Sequence, residues 1–140
     1  MATFNKFNSF VEALAEKKHD LGADTLKVML SNTAPVAANS TKANITEITA
    51  GNGYTAGGNT AAVTSSAQTG GLYRLVLADP ASWTAAGGSI GPFQYAVLYN
   101  DTAANKELIG WWDYGSAVTL AVGESFAVDF DPATGVLTVQ

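Results

Sequence analysis

The chain contains no cysteine, which excludes disulfides, thiolate metal sites and a cysteine nucleophile. It has a single histidine, His19, so no zinc centre can be built from two or three His or Cys ligands. A Ser-His-Asp triad could form only around that residue. Charge is scarce: Asp, Glu, Lys and Arg together make 14% of the chain, against roughly 25% in an average soluble domain. Positive charge is scarcer still, with 7 Lys and Arg against 12 Asp and Glu and a net charge of −5. The only basic cluster is Lys17-Lys18 beside His19. A nucleic-acid binder needs a basic stripe to displace counterions from phosphates, so direct DNA or RNA binding is not expected. No apolar run approaches the ~20 residues of a membrane-spanning helix. The opening Met1-Ala2-Thr3-Phe4-Asn5-Lys6 lacks the apolar stretch of a secretory signal. Synthesis in a cytoplasm is therefore expected, with no membrane partner.

What replaces the missing charge is Ala, Thr, Ser, Asn and Gly. A surface of that kind suits a protein that packs against others, and equally an ordinary β-sandwich. The 140 residues are read as one domain, 1–140, long enough to bury a core.

Residues 4–18 read as a helix. Phe7, Phe10, Val11 and Leu14 follow the i, i+3, i+4, i+7 spacing of one helical face, with Phe4 extending the stripe. Lys17, Lys18 and His19 fall in the last turn, where cations favour the helix dipole, and Gly22 is a plausible stop. The stripe either packs on the protein's own sheet or docks on a partner.

From residue 25 to residue 140 the pattern is β. In Thr25–Leu30, Leu26, Val28 and Leu30 share one face. A polar stretch follows over 31–60, broken by Ile45 and Ile48, and ends in the glycine-dense segment 51–59. Loops of that length are usually functional or ordered by a partner. Strands are expected again at Ala61–Ser65 and Gly71–Ala78. Arg74, on the second of these, suggests an edge, a buried pair or a contact site. Phe93–Tyr99 alternates so that Phe93, Tyr95, Val97 and Tyr99 share a face, and Leu108–Trp112 forms the next strand. Ser116–Val122 and Ser125–Phe130 flank a hairpin candidate at Gly123-Glu124, with Phe126, Val128 and Phe130 alternating. Asp131-Pro132-Ala133-Thr134-Gly135 is turn chemistry, and Val136–Val139 closes the chain. Short strands at this spacing predict an all-β sandwich or barrel with one N-terminal helix. Phe93, Tyr95, Val97, Phe126, Val128 and Phe130 are expected to supply much of the core.

The search for chemistry is mostly negative. The glycine loop lacks the Gly-Lys-Ser/Thr of a phosphate loop and the strand-loop-helix setting of a dinucleotide site. His19, at a helix end after two lysines, reads as a solvated residue. The carboxylates Asp79, Asp101, Glu107, Asp113, Glu124, Asp129 and Asp131 could in principle pair for glycosidase chemistry. Asp79, Asp101 and Asp131 sit among turn formers, however, and Asp129 with Asp131 is a poor calcium signature. Trp111, Trp112, Tyr114, Tyr95 and Tyr99 could build a sugar-stacking platform. Neighbouring strand residues face opposite ways, so one of Trp111 and Trp112 is expected in the core and the other outside. No catalytic, cofactor-binding or metal-ligating residue is assigned.

Several segments resemble a family of small phage virion proteins. They are Phe4–Glu12, Asp24–Pro35, Gly51-Asn52-Gly53-Tyr54, Leu75–Asp79, Ile90-Gly91-Pro92-Phe93 and Leu108–Gly115. The similarity covers nearly the whole chain and is nearest to the capsid decoration, or cement, proteins of short-tailed Bordetella phages. The resemblance implies a jelly-roll-like β fold, no active site and a homo-oligomer, expected to be a dimer. It implies that the partner is the major capsid protein and the location the outer face of the virion shell. The alternatives are a tail or head-fibre component, or a carbohydrate-binding module. The N-terminal stripe and the 31–60 stretch are the expected attachment segments, the latter gaining order on the shell.

Overall fold

The structure, a computed structural model, describes residues 2–140. In chain order its elements are β1 (Asn5–Lys6), α1 (Ser9–Ala15), β2 (Leu26–Ser31), a single 3-10 turn (Lys42–Asn44), β3 (Asn59–Thr60) and β4 (Val63–Thr69). Then come β5 (Leu72–Leu77), β6 (Trp83–Thr84), β7 (Ile90–Asn100), β8 (Leu108–Leu120), β9 (Ser125–Phe126) and β10 (Leu137–Val139). The fold is all-β with one helix. A five-stranded antiparallel sheet, in the order β1-β8-β7-β2-β3, faces a three-stranded sheet β10-β5-β4 and the short pair β6-β9.

The alternation in β2 explains how the sheets meet. Leu26, Val28 and Leu30 point into the main core. There they join Leu98 of β7, Ile109 of β8, Leu75 and Leu77 of β5, Leu137 of β10 and Trp83 of β6. Fully burying each such aliphatic side chain contributes about 1.5–3 kcal/mol before entropy is counted. Met29 points the other way, into a smaller cluster with Phe7, Val97, Tyr99 and Leu108, against which Ile45 and Trp111 also pack. The large sheet is thus covered on both faces. That is why neither Trp111 nor Trp112 stands free: each is half-buried, Trp111 against Phe7 and Trp112 against Phe4 and Phe130.

The expected helix over 4–18 is shorter than its apolar spacing suggested. Asn5 and Lys6 instead pair with Trp111 and Gly110 at the edge of the large sheet. Gly110 permits this approach, since a Cβ there would lie 2.8 Å from the Asn5 carbonyl oxygen and inside the Phe4 ring. Phe7 and Phe10 are buried but Val11 is 51% exposed, so the stripe is narrower than the spacing implied. The helix ends at Ala15, with Glu16 as its cap, and not at Gly22. Lys17 takes φ 66, and the Lys17 and Lys18 N–H groups return to the carbonyls of Leu14 (3.4 Å) and Ala13 (2.9 Å), closing a Schellman motif.

Two other expectations fail because ladders shift register. Phe93, Tyr95, Val97 and Tyr99 do not share one face. Between the pairs Phe93↔Val118 and Tyr95↔Asp113, strand β8 carries extra residues that bulge out. The parity of β7 changes there, so Phe93 joins the main core while Val97 and Tyr99 join the smaller cluster. Tyr95 is only half-buried. Gly123-Glu124 does turn the chain, with Glu124 N–H donating to the Ala121 carbonyl at 2.9 Å. The chain that leaves it does not pair back on β8, however. Only Ser125–Phe126 is a strand, and it pairs with β6. Residues 127–130 run outside any ladder, held by Phe130 N–H donating to Asp79 Oδ1 at 2.7 Å. Phe130 is buried; Phe126 and Val128 are half-buried. Arg74 sits on the central strand of its sheet, on the exposed face, rather than on an edge.

Candidate functional site

The 31–60 stretch is not loose chain waiting for a surface. Ser31 Oγ donates to the Thr46 carbonyl at 2.6 Å, and Ile48 N–H donates to the Leu30 carbonyl at 3.1 Å. Tyr54 is buried, donates from its hydroxyl to Glu47 Oε2 (2.6 Å) and accepts the Leu30 N–H (3.0 Å). The same carboxylate oxygen accepts the Gly57 N–H at 2.6 Å, and Tyr99 donates to the Gly57 carbonyl at 2.6 Å. Lys42 pairs with Glu47 at 3.2 Å. Burial, and then the Glu47 carboxylate, push the Tyr54 hydroxyl well above the usual phenol range. Burial does the same for Tyr99, with Asp101 and Glu47 adding to it. The glycine loop is therefore packed on the sheet. At Gly58 (φ +76) a Cβ would lie 2.6 Å from the Val28 carbonyl carbon and 2.7 Å from the Met29 Cα, so only glycine fits.

The candidate carboxylates are distributed rather than gathered. Asp79 holds Phe130. Asp101 pairs with Lys106 (3.1 Å) and Lys27 (3.5 Å). Desolvation tends to raise its carboxyl, but the Lys106 hydrogen bond and the two charges prevail and hold it below the ordinary carboxylate range. Asp113 Oδ1 accepts from Gln94 Nε2 (2.9 Å) and Gly115 N–H (2.7 Å), stabilising the β8 bulge. Glu124 Oε1 accepts the Ala121 N–H at 2.7 Å within its turn. Asp131 Oδ1 accepts from Ala133 and Thr134 N–H (2.8 and 3.4 Å), and the Ala133 bond first of all lowers its pKa. Among the described residues no three His, Cys, Asp or Glu side chains group to hold a metal ion, and no helix is long and apolar enough to cross a membrane.

Two concave sites stand out among the described residues. The first is an aromatic cleft of about 310 Å³. Of the aromatics considered for sugar stacking, Tyr95, Trp112 and Tyr114 reach it, joined by Phe4, Phe126 and Phe130, with Asp129 on its wall. Trp111 and Tyr99 lie on the opposite face of the sheet. The rings fill one another instead of forming a flat platform: Tyr114 meets Phe126 edge-on at 5.6 Å and 72°, and Trp112 tilts 43° against Phe130.

The second site surrounds His19, which is not a solvated helix-end residue. It is 5% exposed and packs against Phe10 at 5.3 Å. Asn100, the last residue of β7, and Glu107, just before β8, are buried beside it, 0% and 8% exposed. Burial lowers the imidazole pKa, opposed by the charges of Glu107 and Asp24. Sequence reasoning missed this cluster because its members are 81 residues apart in the chain, and only the β7–β8 connection brings Asn100 to His19.

No protein-family model, no curated protein and no solved structure matches the chain.

One edge bears on assembly. β4 is an outer strand of its sheet, and six of its seven residues are exposed. Its sequence, Val63-Thr64-Ser65-Ser66-Ala67-Gln68-Thr69, contains no charge and no proline. Proteins that stay monomeric usually protect such an edge with lysine, proline or a covering loop.

Proposed function

We propose that this chain is a non-enzymatic structural subunit of a bacteriophage virion, a decoration protein that binds the outer surface of the major capsid protein shell and acts as a homodimer. The resemblance of its segments to phage decoration proteins suggests the class. The observation that carries the assembly role is the uncharged, open edge of β4. Its unpaired backbone N–H and C=O groups offer a ladder for a further strand. A second copy pairing antiparallel across a two-fold axis would meet no like charge there. The charge-poor surface fits attachment that is mainly apolar and hydrogen-bonded, and therefore little screened by salt. A subunit that binds only the mature shell stabilises that state by mass action.

The test is binding of the purified chain to mature capsids that lack it. Saturable binding at a fixed stoichiometry, retained in about 0.5 M salt and accompanied by a higher capsid melting temperature, is expected. Failure to bind any shell state would reject the proposal. Labelling of tails instead of heads in virions would move the chain to another part of the particle.

A further inference from the structure

The aromatic cleft, where β7 and β8 meet the 126–136 chain, is walled by rings set at steep angles to one another. Tyr114 and Phe93 each meet Phe126 nearly edge to face, at 5.6 Å and 72° and at 4.9 Å and 71°. Phe4 and Phe130 tilt against Trp112 by 59° and 43°. All six border the same space of about 310 Å³, within the range of small-molecule sites. Tyr114 is 58% exposed, and Phe4, Trp112 and Phe126 are half-buried, so ring surface is open to a ligand. Among the described residues the charged side chains on the wall are Asp129 and Asp131, both acidic. Asp129 is exposed and enters none of the ion pairs. Asp131 is held by the Ala133 and Thr134 N–H groups, both at Oδ1. Arg74 packs its stem against Gly135 on the exposed face of β5, but it does not line the cleft and pairs with neither aspartate.

Rings and carboxylates together constrain the occupant. An anion would be repelled by both aspartates. A pyranose stacks on one flat face, which tilted rings do not provide. A hard metal ion needs several oxygen ligands, and no group of three His, Cys, Asp or Glu occurs among the described residues. A methylated ammonium group suits both features. It is compact, its methyl groups are apolar, and its positive charge is attracted to the negative faces of rings met from several directions. A quaternary nitrogen also has no N–H donors whose hydrogen bonds would be lost on leaving water. The two aspartates add attraction from the rim.

We propose that this cleft binds a small organic cation bearing a quaternary ammonium group, seated against the aromatic rings with Asp129 and Asp131 balancing its charge. No residue of β4 lines the cleft, so this binding and the pairing of the β4 edge can fail independently.

The test uses the full chain, titrated with tetramethylammonium, choline and phosphocholine. The control ligand is the neutral isostere of choline, in which a tert-butyl group replaces trimethylammonium. Indole N–H signals in nitrogen–proton NMR are the readout. Trp112 borders the cleft, and Trp111, on the opposite face of the sheet, is the internal control. Choline should bind with a dissociation constant of about 1 mM, moving the Trp112 signal and not that of Trp111. It should bind about tenfold more tightly than the neutral isostere. Tyr114→Ala, at an exposed position, should weaken choline binding about fivefold or more, whereas Tyr114→Phe keeps the ring and should stay within about twofold of the parent. Asp129→Asn should weaken choline about two- to threefold and make its binding less sensitive to salt, with the isostere unaffected. Phosphocholine, which brings a phosphate to the two aspartates, should bind more weakly than choline, as expected of a site for a free cation. Equal binding would keep the ammonium site and identify a headgroup as its source. The proposal is overturned if no cation moves the Trp112 signal, if the neutral isostere binds as tightly as choline, if Trp111 and Trp112 shift alike, or if Tyr114→Ala and Asp129→Asn both bind as the parent does.

Discussion

Replacing Tyr54 by Phe tests whether the long polar stretch is held by the chain itself. The substitution keeps the buried ring and removes one oxygen. That oxygen donates to Glu47 Oε2 at 2.6 Å and accepts the Leu30 N–H at 3.0 Å. A hydrogen bond to a charged group contributes about 1.5–3 kcal/mol, and an orphaned buried donor costs about 1–3 kcal/mol. The two losses share one atom and one relaxation, so a combined cost of about 2–4 kcal/mol is expected. A 140-residue domain loses about 3–4 °C in melting temperature per kcal/mol, which gives a fall of about 6–16 °C. Urea and thermal unfolding measure it, and hydrogen exchange at Gly57 should speed up at the same time. Tyr73→Phe is the control, because that hydroxyl contacts only Ser66 Oγ, at an exposed site. It should change stability by less than about 0.5 kcal/mol. A Tyr54→Phe protein as stable as its parent would refute the reasoning and leave the 31–60 stretch in need of an outside partner.

Gly58→Ala should destabilise by more than about 4 kcal/mol or prevent folding, since the new Cβ meets backbone that cannot yield; recovery of a normally stable protein would contradict the close approach to β2. Phe126→Ala should cost about 1.5–2.5 kcal/mol in unfolding experiments, less than the 3–5 of a fully buried phenylalanine, because the ring is half-buried. His19 has a folded pKa below its ordinary value, so the unfolded chain takes up its proton first as pH falls. Its stabilising effect is complete above about pH 6.5 and is lost as pH falls towards the folded pKa, by at most about 1.4 kcal/mol per pH unit. His19→Gln should flatten that slope in a pH series of melts; an unchanged slope would place its origin elsewhere. Ala67→Lys, on the exposed edge of β4, should yield a folded monomer by sedimentation if pairing of that edge makes the dimer.

The residues that could be read from the sequence are those whose signal is local. The alternation of Leu26, Val28 and Leu30 predicts a strand with that inward face, because the pleat puts every second side chain on one side, and the structure agrees. The density of β-branched and aromatic segments after residue 25, with turn formers between them, likewise determined an all-β fold with one helix. Absence of cysteine and scarcity of histidine limited the chemistry for reasons that no folding could change. Tertiary pairing decided the rest. Asn5 and Lys6 leave the helical pattern because an edge of the large sheet is open to them at Gly110. Phe93 and Val97 part company because the β7–β8 ladder breaks register between Phe93 and Tyr95, and the two residues lie on opposite sides of that break. Ser125–Phe130 is mostly not a strand because β6, not β8, lies beside its start. His19, which looked solvated by its lysine neighbours, is buried because Asn100, far along the chain, supplies the hydrogen bond that makes burial tolerable. A local pattern sets what a segment prefers, but a buried polar group or a bulge depends on partners that only the folded chain brings within hydrogen-bond distance.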